Sequence, residues 1–354
     1  MKDSGASTRT YGLIRELLES ANVILLIPGG GRGYQETGVH PGIEVRTFNP
    51  YRIGGLDVGV YFLGVNPSYW RNLIGIIKNT SVGAVVGSLI VSALPLALAK
   101  ILLKKRIVYD AHNVEKERVI EGSLTETENR FKFILKFRWY LHEYLAVKTA
   151  DEIISISHDD KRKLVALYRV HPEKIRVRPP RINLPPEVEK KSRMHRETFK
   201  AVFHGTYWYL PNRKALHLIK DYLSKNVRHV QFVVFGSHTP EISERNFESL
   251  GFVDDVFEFL SSCDVAIVPL RRGAGVKLKV LDYMAAGLPI VTTRKGAEGL
   301  DLVDGKHAII VEDVDEEFIS AVEELVESPK LRRKMGHNAR KLAMKKYVVS
   351  KDGG

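Results

Sequence analysis

Residues 264–299 read DVAIVPLRRGAGVKLKVLDYMAAGLPIVTTRKGAEG, and this stretch decides the fold. DVAIVPL is a short apolar run without polar alternation, as expected of a strand covered on both faces of a parallel sheet. Gly273 and Gly275 follow in a turn, a helix opens near Lys277, and LPIVTT reads as the next buried strand. Glycines in a strand-to-helix turn let a ligand approach the backbone closely, and the first helical N–H groups favour an anion. Lys277 and Lys279 add positive charge there. Asp282, on the same helix, is a carboxylate suited to paired ribose hydroxyls. The spacing alone fits a plain turn with a solvated helix start better than a phosphate site.

The pattern repeats outward in both directions. NVILLIPG, IEVRTF, DVGVYFLG, VGAVVGS, RIVYDAH and DEIISIS read as strands in the first half, and KAVFHGT, VQFVVFGS and HAIIVE in the second. TYGLIRELLES, ALHLIKDYLSK and DEEFISAVEELVE read as helices between them. Apolar strands alternating with amphipathic helices predict an α/β fold with parallel sheets. The segment 178–198, with four prolines and many charges, interrupts the pattern. We therefore expect a Rossmann-like domain over residues 1–180, a linker over 181–198 and a second Rossmann-like domain over 199–354. Ligands of such sheets bind at the carboxyl ends of the strands, so the cleft between two such edges is the expected site.

Composition narrows the partners. The chain has 354 residues, a formal charge of +12 and one cysteine, Cys263. Intrachain disulfides are excluded, and a reducing, cytoplasmic setting fits. The positive charge calls for an anionic partner. No helix-turn-helix, zinc-knuckle or RNP pattern favours nucleic acid, which leaves phosphorylated substrates and a membrane surface. Val82 to Ala99 carries no charge and reaches the length threshold of a membrane span; its glycines, serines and proline favour a buried strand followed by a helix from Leu89 to Lys104. No Cys/His cluster or paired-acid spacing suggests a metal site.

The deciding stretch, as GxGxKxKxLDYMAxGxPIVTTxxGxEG, resembles the donor-site signature of family 4-type (group 1) glycosyltransferases with the GT-B fold. AVFHGTYWYLPNRKAL resembles the strand, loop and helix that open the second domain, with Gly205 in the loop and Asn212 at the helix start. FVVFGS and LGFVDDVFEFLSSCDVAIVPL resemble the segment whose backbone, at Phe252 and Val253, holds the base. VYDAHNVE is similar to the strand ending in the acceptor-side histidine, here His112. SGASTRTYGLIREL resembles the N-terminal glycine loop, with Gly5 and Arg9 toward acceptor or phosphate. The segments occur in the family's order along nearly the whole chain.

The resemblance implies a retaining transfer from a nucleoside-diphosphate sugar to a glycan, lipid-linked or other hydroxyl acceptor, with no metal and no cofactor. Lys277 and Lys279, helped by Arg213 or Lys214, are the expected cations for the leaving diphosphate. Gly273, Gly275, Asp282 and Glu298 are expected to line the donor site. His112 is expected to orient hydroxyls, its rival role being a core histidine at a strand end. Tyr207, Trp208 and Tyr209 suit stacking on a ring or packing as a lid. The resemblance implies a cytoplasmic protein, with peripheral contact at the inner face of the membrane as an alternative setting; the basic amphipathic segment after Pro67 fits an ordinary surface helix better than interfacial docking.

Two features depart from the family. Its pair of glutamates falls at Ala274 and Asp282, so the first acid is absent and the second shortened. The chain begins MKDSGAS, inside the glycine loop, so the family's first strand is expected to be missing, with a misplaced start codon as the simplest cause. The chain also ends before most of the family's crossing helix. A binding protein without turnover and a nucleotide-sugar epimerase are the alternatives; the colinear site residues favour the transferase.

Overall fold

Strand Val265–Val268 lies wholly inside, all four side chains fully buried. Burial of this kind contributes about 1.5–3 kcal/mol per large aliphatic side chain and fixes the strand at a sheet centre. The computed structural model describes residues 5–28, 41–49, 52–53, 56–57, 66–88, 92–120, 131–182 and 198–348. The chain forms two compact units, residues 1–117 with 127–178, and residues 118–126 with 179–354.

In the second unit, Val265–Val268 pairs in parallel with Phe199–His204 on one side and Ile290–Thr293 on the other. Val230–Phe235 and Phe247–Leu250 extend the sheet beyond Phe199–His204, and Ile309–Val311 extends it beyond Ile290–Thr293. Glu241–Glu244 adds an antiparallel edge against Phe247–Leu250. The chain thus lays strands outward from Phe199–His204 in one direction, returns to Val265–Val268, and continues in the other. The reversal falls between these two strands, where a doubly wound sheet opens a crevice at its carboxyl edge.

The helices close both faces. Leu278–Ala285 buries Val280, Leu281, Tyr283 and Met284. The helix Pro329–Lys346 packs on it so tightly that a Cβ on Gly336 would stand 2.2 Å from the Gly287 carbonyl oxygen. Asp315 and Ser328 cap Glu316–Glu327 and Pro329–Lys346 by accepting from backbone N–H groups in their first turns.

In the first unit, Ala84–Ser88, Arg106–Ala111, Glu152–Ser155 and Ile175–Val177 form a parallel sheet in that order. Helices Ala93–Leu103 and Phe131–Thr149 pack together, and the unit's core gathers residues from both around Ile107, Tyr109 and Ile153. Leu13 of helix Gly5–Leu18 joins Val108 and Ile154 in a separate cluster. Val23–Pro28 pairs only with Ile43–Phe48, and among the described residues no ladder joins this pair to the four-stranded sheet.

The uncharged stretch divides as the composition predicts. Ala84–Ser88 is a strand, and the helix Ala93–Leu103 ends where Lys104 turns left-handed at φ +50°. No described helix is long and apolar enough to cross a membrane. One segment gains an assignment, and two expected ones fall outside the described residues. TPEISERNFESLG, unassigned from sequence, is the antiparallel hairpin at the sheet edge, where alternating polar residues face water. The expected strand DVGVYFLG lies, apart from Asp57, outside the described residues, as do residues 183–197 of the expected linker.

Candidate functional site

At the reversal point, Phe199–His204 ends in Gly205, whose φ of +156° turns the chain sharply into 206–209 and the helix Leu210–Leu218. A Cβ at Gly205 would meet Asn212 Nδ2 and Lys279 Nζ, each at 2.7 Å, so only glycine lets both side chains reach the loop. Asn212 donates to the Thr206 carbonyl at 2.9 Å and accepts from the Lys279 ammonium at 2.6 Å. The same ammonium lies 3.9 Å from the centroid of the Phe203 ring. Neighbouring strand ends are laced to this loop: Gly205 N–H donates to Phe235, Tyr207 N–H to Ser237, and Gly236 N–H to Gly251.

The glycine loop forms the other wall. Gly273 and Gly275 take φ values of +125° and +73°, a left-handed region costly for other residues. The Lys277 ammonium donates to both of their carbonyls, at 2.8 and 2.5 Å. Glu298 stands 3.5 Å from Lys277 and 3.1 Å from Lys295. Lys277 is buried and braces its own loop, whereas Lys279, one helical step further, reaches across to the Gly205 loop.

Three titratable groups here are displaced from their ordinary behaviour. Burial, then the neighbouring charge of Lys277, pulls the Lys279 ammonium well below the usual lysine range. Burial pushes the Asp282 carboxyl up to about 7, against the opposing pull of Lys279. Burial, then Lys279, pulls His204 down to about 3. The His204 ring stacks on Phe235 at 5.2 Å and meets the edge of Tyr283 at 5.0 Å. Its Nε2 is buried without a hydrogen-bond partner, 3.5 Å from an Asp282 oxygen. A neutral histidine, a partly ionised carboxyl and a destabilised ammonium thus lie together beside the Gly205 loop.

The remaining expected residues divide by unit. Arg213 lies 5.9 Å from the Tyr207 ring centroid. Phe252 is 66% exposed beyond Gly251, Val253 is half-buried, and Ala274 is buried in the glycine loop. Trp208 is 74% exposed against the edge of His238. In the first unit His112 is buried after Arg106–Ala111, its Nε2 2.8 Å from Asp110, which also accepts from Ser88 at 3.2 Å. Gly5 opens the helix Gly5–Leu18, and the Arg9 side chain lies outside the described residues.

Sequence reasoning passed over His204 and Tyr283. Tyr283 Oη accepts from His204 N–H at 2.7 Å, a link across 79 positions that no local pattern announces. The signal available was the histidine closing KAVFHGT, a polar residue at the carboxyl end of a buried strand.

With this geometry established, comparison with known proteins defines the class. The model for Glycosyltransferase Family 4 matches residues 4–184, and that for Glycosyl transferases group 1 matches residues 198–328. The chain belongs to the family 4 glycosyltransferases, and its fold is GT-B, with two Rossmann-like domains. Among curated relatives, the capsular polysaccharide biosynthesis glycosyltransferase CapM of Staphylococcus aureus is 26% identical over 252 residues, 64% of this chain and 65% of CapM. The matched stretches span between 25% and 65% of the length of the three curated relatives. Sucrose-phosphate synthase from Thermosynechococcus elongatus superposes with a TM-score of 0.77 at 14% identity, covering 98% of this chain and 90% of that one. Anabaena HepE, solved with UDP and glucose, superposes with a TM-score of 0.64 at 15% identity, covering 87% of this chain and 83% of HepE.

Proposed function

We propose that the protein is a retaining glycosyltransferase that takes a hexose from a nucleoside-diphosphate sugar, needs no metal, and delivers it to a glycan, lipid-linked or other hydroxyl acceptor. One observation carries the reading: Lys279, Asn212 and Gly205 meet at the reversal point of the sheet, beside the glycine loop. In HepE the bound molecules are UDP and glucose, which supports a nucleoside diphosphate as the class of ligand here.

As the bond from the anomeric carbon to the diphosphate breaks, negative charge collects on the departing phosphate. Lys279 supplies the opposing charge where burial has left its ammonium poorly compensated, so the leaving group stabilises it as it stabilises the leaving group. Lys277 keeps the loop N–H groups in place. Asp282 takes the ribose hydroxyls. The acceptor hydroxyl approaches from the face the diphosphate leaves and passes its proton to a phosphate oxygen, so configuration is retained and no enzymic base is needed. Asp110 holds the proton of His112 on Nε2, which leaves Nδ1 to accept from a sugar or acceptor hydroxyl. Ala274 offers no carboxylate to the sugar, so donor-sugar contacts come from elsewhere.

The protein is proposed to work at the cytoplasmic face of a membrane. Ile101 and Leu102 are 66% and 67% exposed at the end of Ala93–Leu103. Phe137, Leu141 and Tyr144 are exposed on the helix packed beside it, with Lys104, Lys105 and Lys148 close in sequence. Apolar side chains bordered by lysines suit an anionic bilayer surface. Sedimentation with phosphatidylglycerol vesicles should be lost on replacing Ile101 and Leu102 by Glu; equal sedimentation of both forms contradicts the docking face.

The activity is tested by incubating UDP-glucose, GDP-mannose and ADP-glucose in turn with the protein and a hydroxyl acceptor such as octyl glucoside, in EDTA and in magnesium. Release of the nucleoside diphosphate in EDTA, with a product whose anomeric configuration matches the donor, is the expected result. Turnover that requires magnesium, or an inverted product, overturns the corresponding part of the reading.

A further inference from the structure

Glu143 is a buried carboxylate that the mechanism above does not use. It sits fully enclosed on the inner face of Phe131–Thr149. One of its oxygens accepts from the backbone N–H of Glu115 at 2.7 Å, and the other from that of Lys116 at 2.8 Å. The Tyr168 hydroxyl donates to the second oxygen as well. Glu115 and Lys116 are the first residues of the helix Glu115–Ile120, whose opening N–H groups have no intrahelical acceptor. They follow His112 by three and four residues, with fully buried Val114 between.

We infer that Glu143 is a positioning residue: its carboxylate clamps the backbone just after His112 and so fixes where that imidazole stands. The inference rests on the proposed role of His112. It also identifies both fixings of the segment. Asp110 holds the ring from the strand side, and Glu143 holds the chain from the helix side. An ionised carboxylate is the one side chain with enough acceptor capacity to take two N–H groups and a phenol together.

The burial of this charge argues against a purely structural purpose. Desolvation is the largest influence on Glu143 and pushes it up to about 7, outweighing the bonds from Tyr168, Glu115 and Lys116 that favour ionisation. A carboxylate raised above its unfolded value contributes stability at low pH that is lost as pH rises through 7. The ionised clamp is therefore held at the expense of stability under neutral and alkaline conditions. Among the described residues, the charged and titratable groups facing it are Glu115 from the helix Glu115–Ile120, Tyr109 from Arg106–Ala111 and Tyr168 from His158–Tyr168. Both tyrosines are raised above their ordinary value and stay neutral through this range.

The test compares the parent with Glu143→Gln, Tyr168→Phe and His112→Ala. Hydrogen exchange of the peptide spanning 112–118, corrected for intrinsic rate, should be slower in the parent at pH 8 than at pH 6. Glu143→Gln should exchange fast at both, and Tyr168→Phe should move the midpoint to higher pH because a bond favouring the carboxylate is gone. Exchange in Glu143→Gln equal to the parent overturns the clamp. Turnover of whichever sugar nucleotide the protein uses should fall about tenfold or more in Glu143→Gln, as displacement of a positioned group does. Nucleoside-diphosphate affinity should be unchanged, and the melting temperature at pH 8 should be no lower than the parent's. Equal losses of turnover and nucleotide affinity would point to general unfolding and overturn the positioning role. If His112→Ala leaves turnover intact, the reading of His112 fails while the exchange data still report on the clamp.

Discussion

Two lysines on one turn of the chain divide the work between them. Lys277 is enclosed by the carbonyls it holds, and its neutral replacement should loosen the Gly273–Gly275 loop. Among the described residues the Lys279 ammonium touches the Asn212 amide oxygen and the Phe203 ring, with the Asp282 carboxyl nearby, so it has the capacity to meet phosphate. Lys279→Ala should weaken nucleoside-diphosphate binding by about 1.5–3 kcal/mol, the worth of a charge-assisted contact, with little change in melting temperature. Calorimetry showing equal affinity in the variant removes Lys279 from the site. The displaced groups also predict proton traffic. Asp282, raised to about 7, is partly protonated near neutrality, and ribose hydroxyls favour its ionised form, so a nucleoside should bind more tightly as pH rises through 7 and release protons. Titration of uridine in buffers of different ionisation enthalpy measures this, and proton uptake on binding contradicts the assignment.

At the scale of elements, the turn between Leu278–Ala285 and Ile290–Thr293 is fixed by contact between two glycines. Gly336→Ala would drive a Cβ into the Gly287 carbonyl, and helix Pro329–Lys346 could only move outward. Such overpacking costs about 1–3 kcal/mol, so the melting temperature should drop by several degrees; an unchanged value means the helices are not so closely apposed. The strands around this helix were legible because fully buried parallel strands carry unbroken apolar runs, as DVAIVPL and LPIVTT do. The hairpin at Glu241–Leu250 was not, since its short, polar, alternating segments gain pairing only from a neighbouring strand. Gly205 was legible as a loop glycine, yet the reason for it lies at Asn212 and Lys279, distant in sequence and close in space. His204, Tyr283 and Glu143 act through contacts between elements and left only isolated polar letters in the sequence.

For the molecule as a whole, the order of segments carried more than any motif. A lone GxG with lysines fits many turns, whereas a donor-type loop, a second-domain opening and a histidine-ending strand in one order fit few folds. The family assignment and the GT-B fold follow from that order. What the order leaves open is the small molecule. The net charge of +12 and the two lysines beside the reversal point both call for an anion, and they differ in whether the anion must carry a nucleoside. Calorimetric titration with UDP, GDP, ADP and inorganic phosphate, in EDTA and again in magnesium, separates these cases. The account predicts saturable binding of one nucleoside diphosphate, far tighter than phosphate and indifferent to magnesium. Binding of phosphate as tight as of every nucleotide, or of none of them, would contradict a nucleoside-diphosphate donor site.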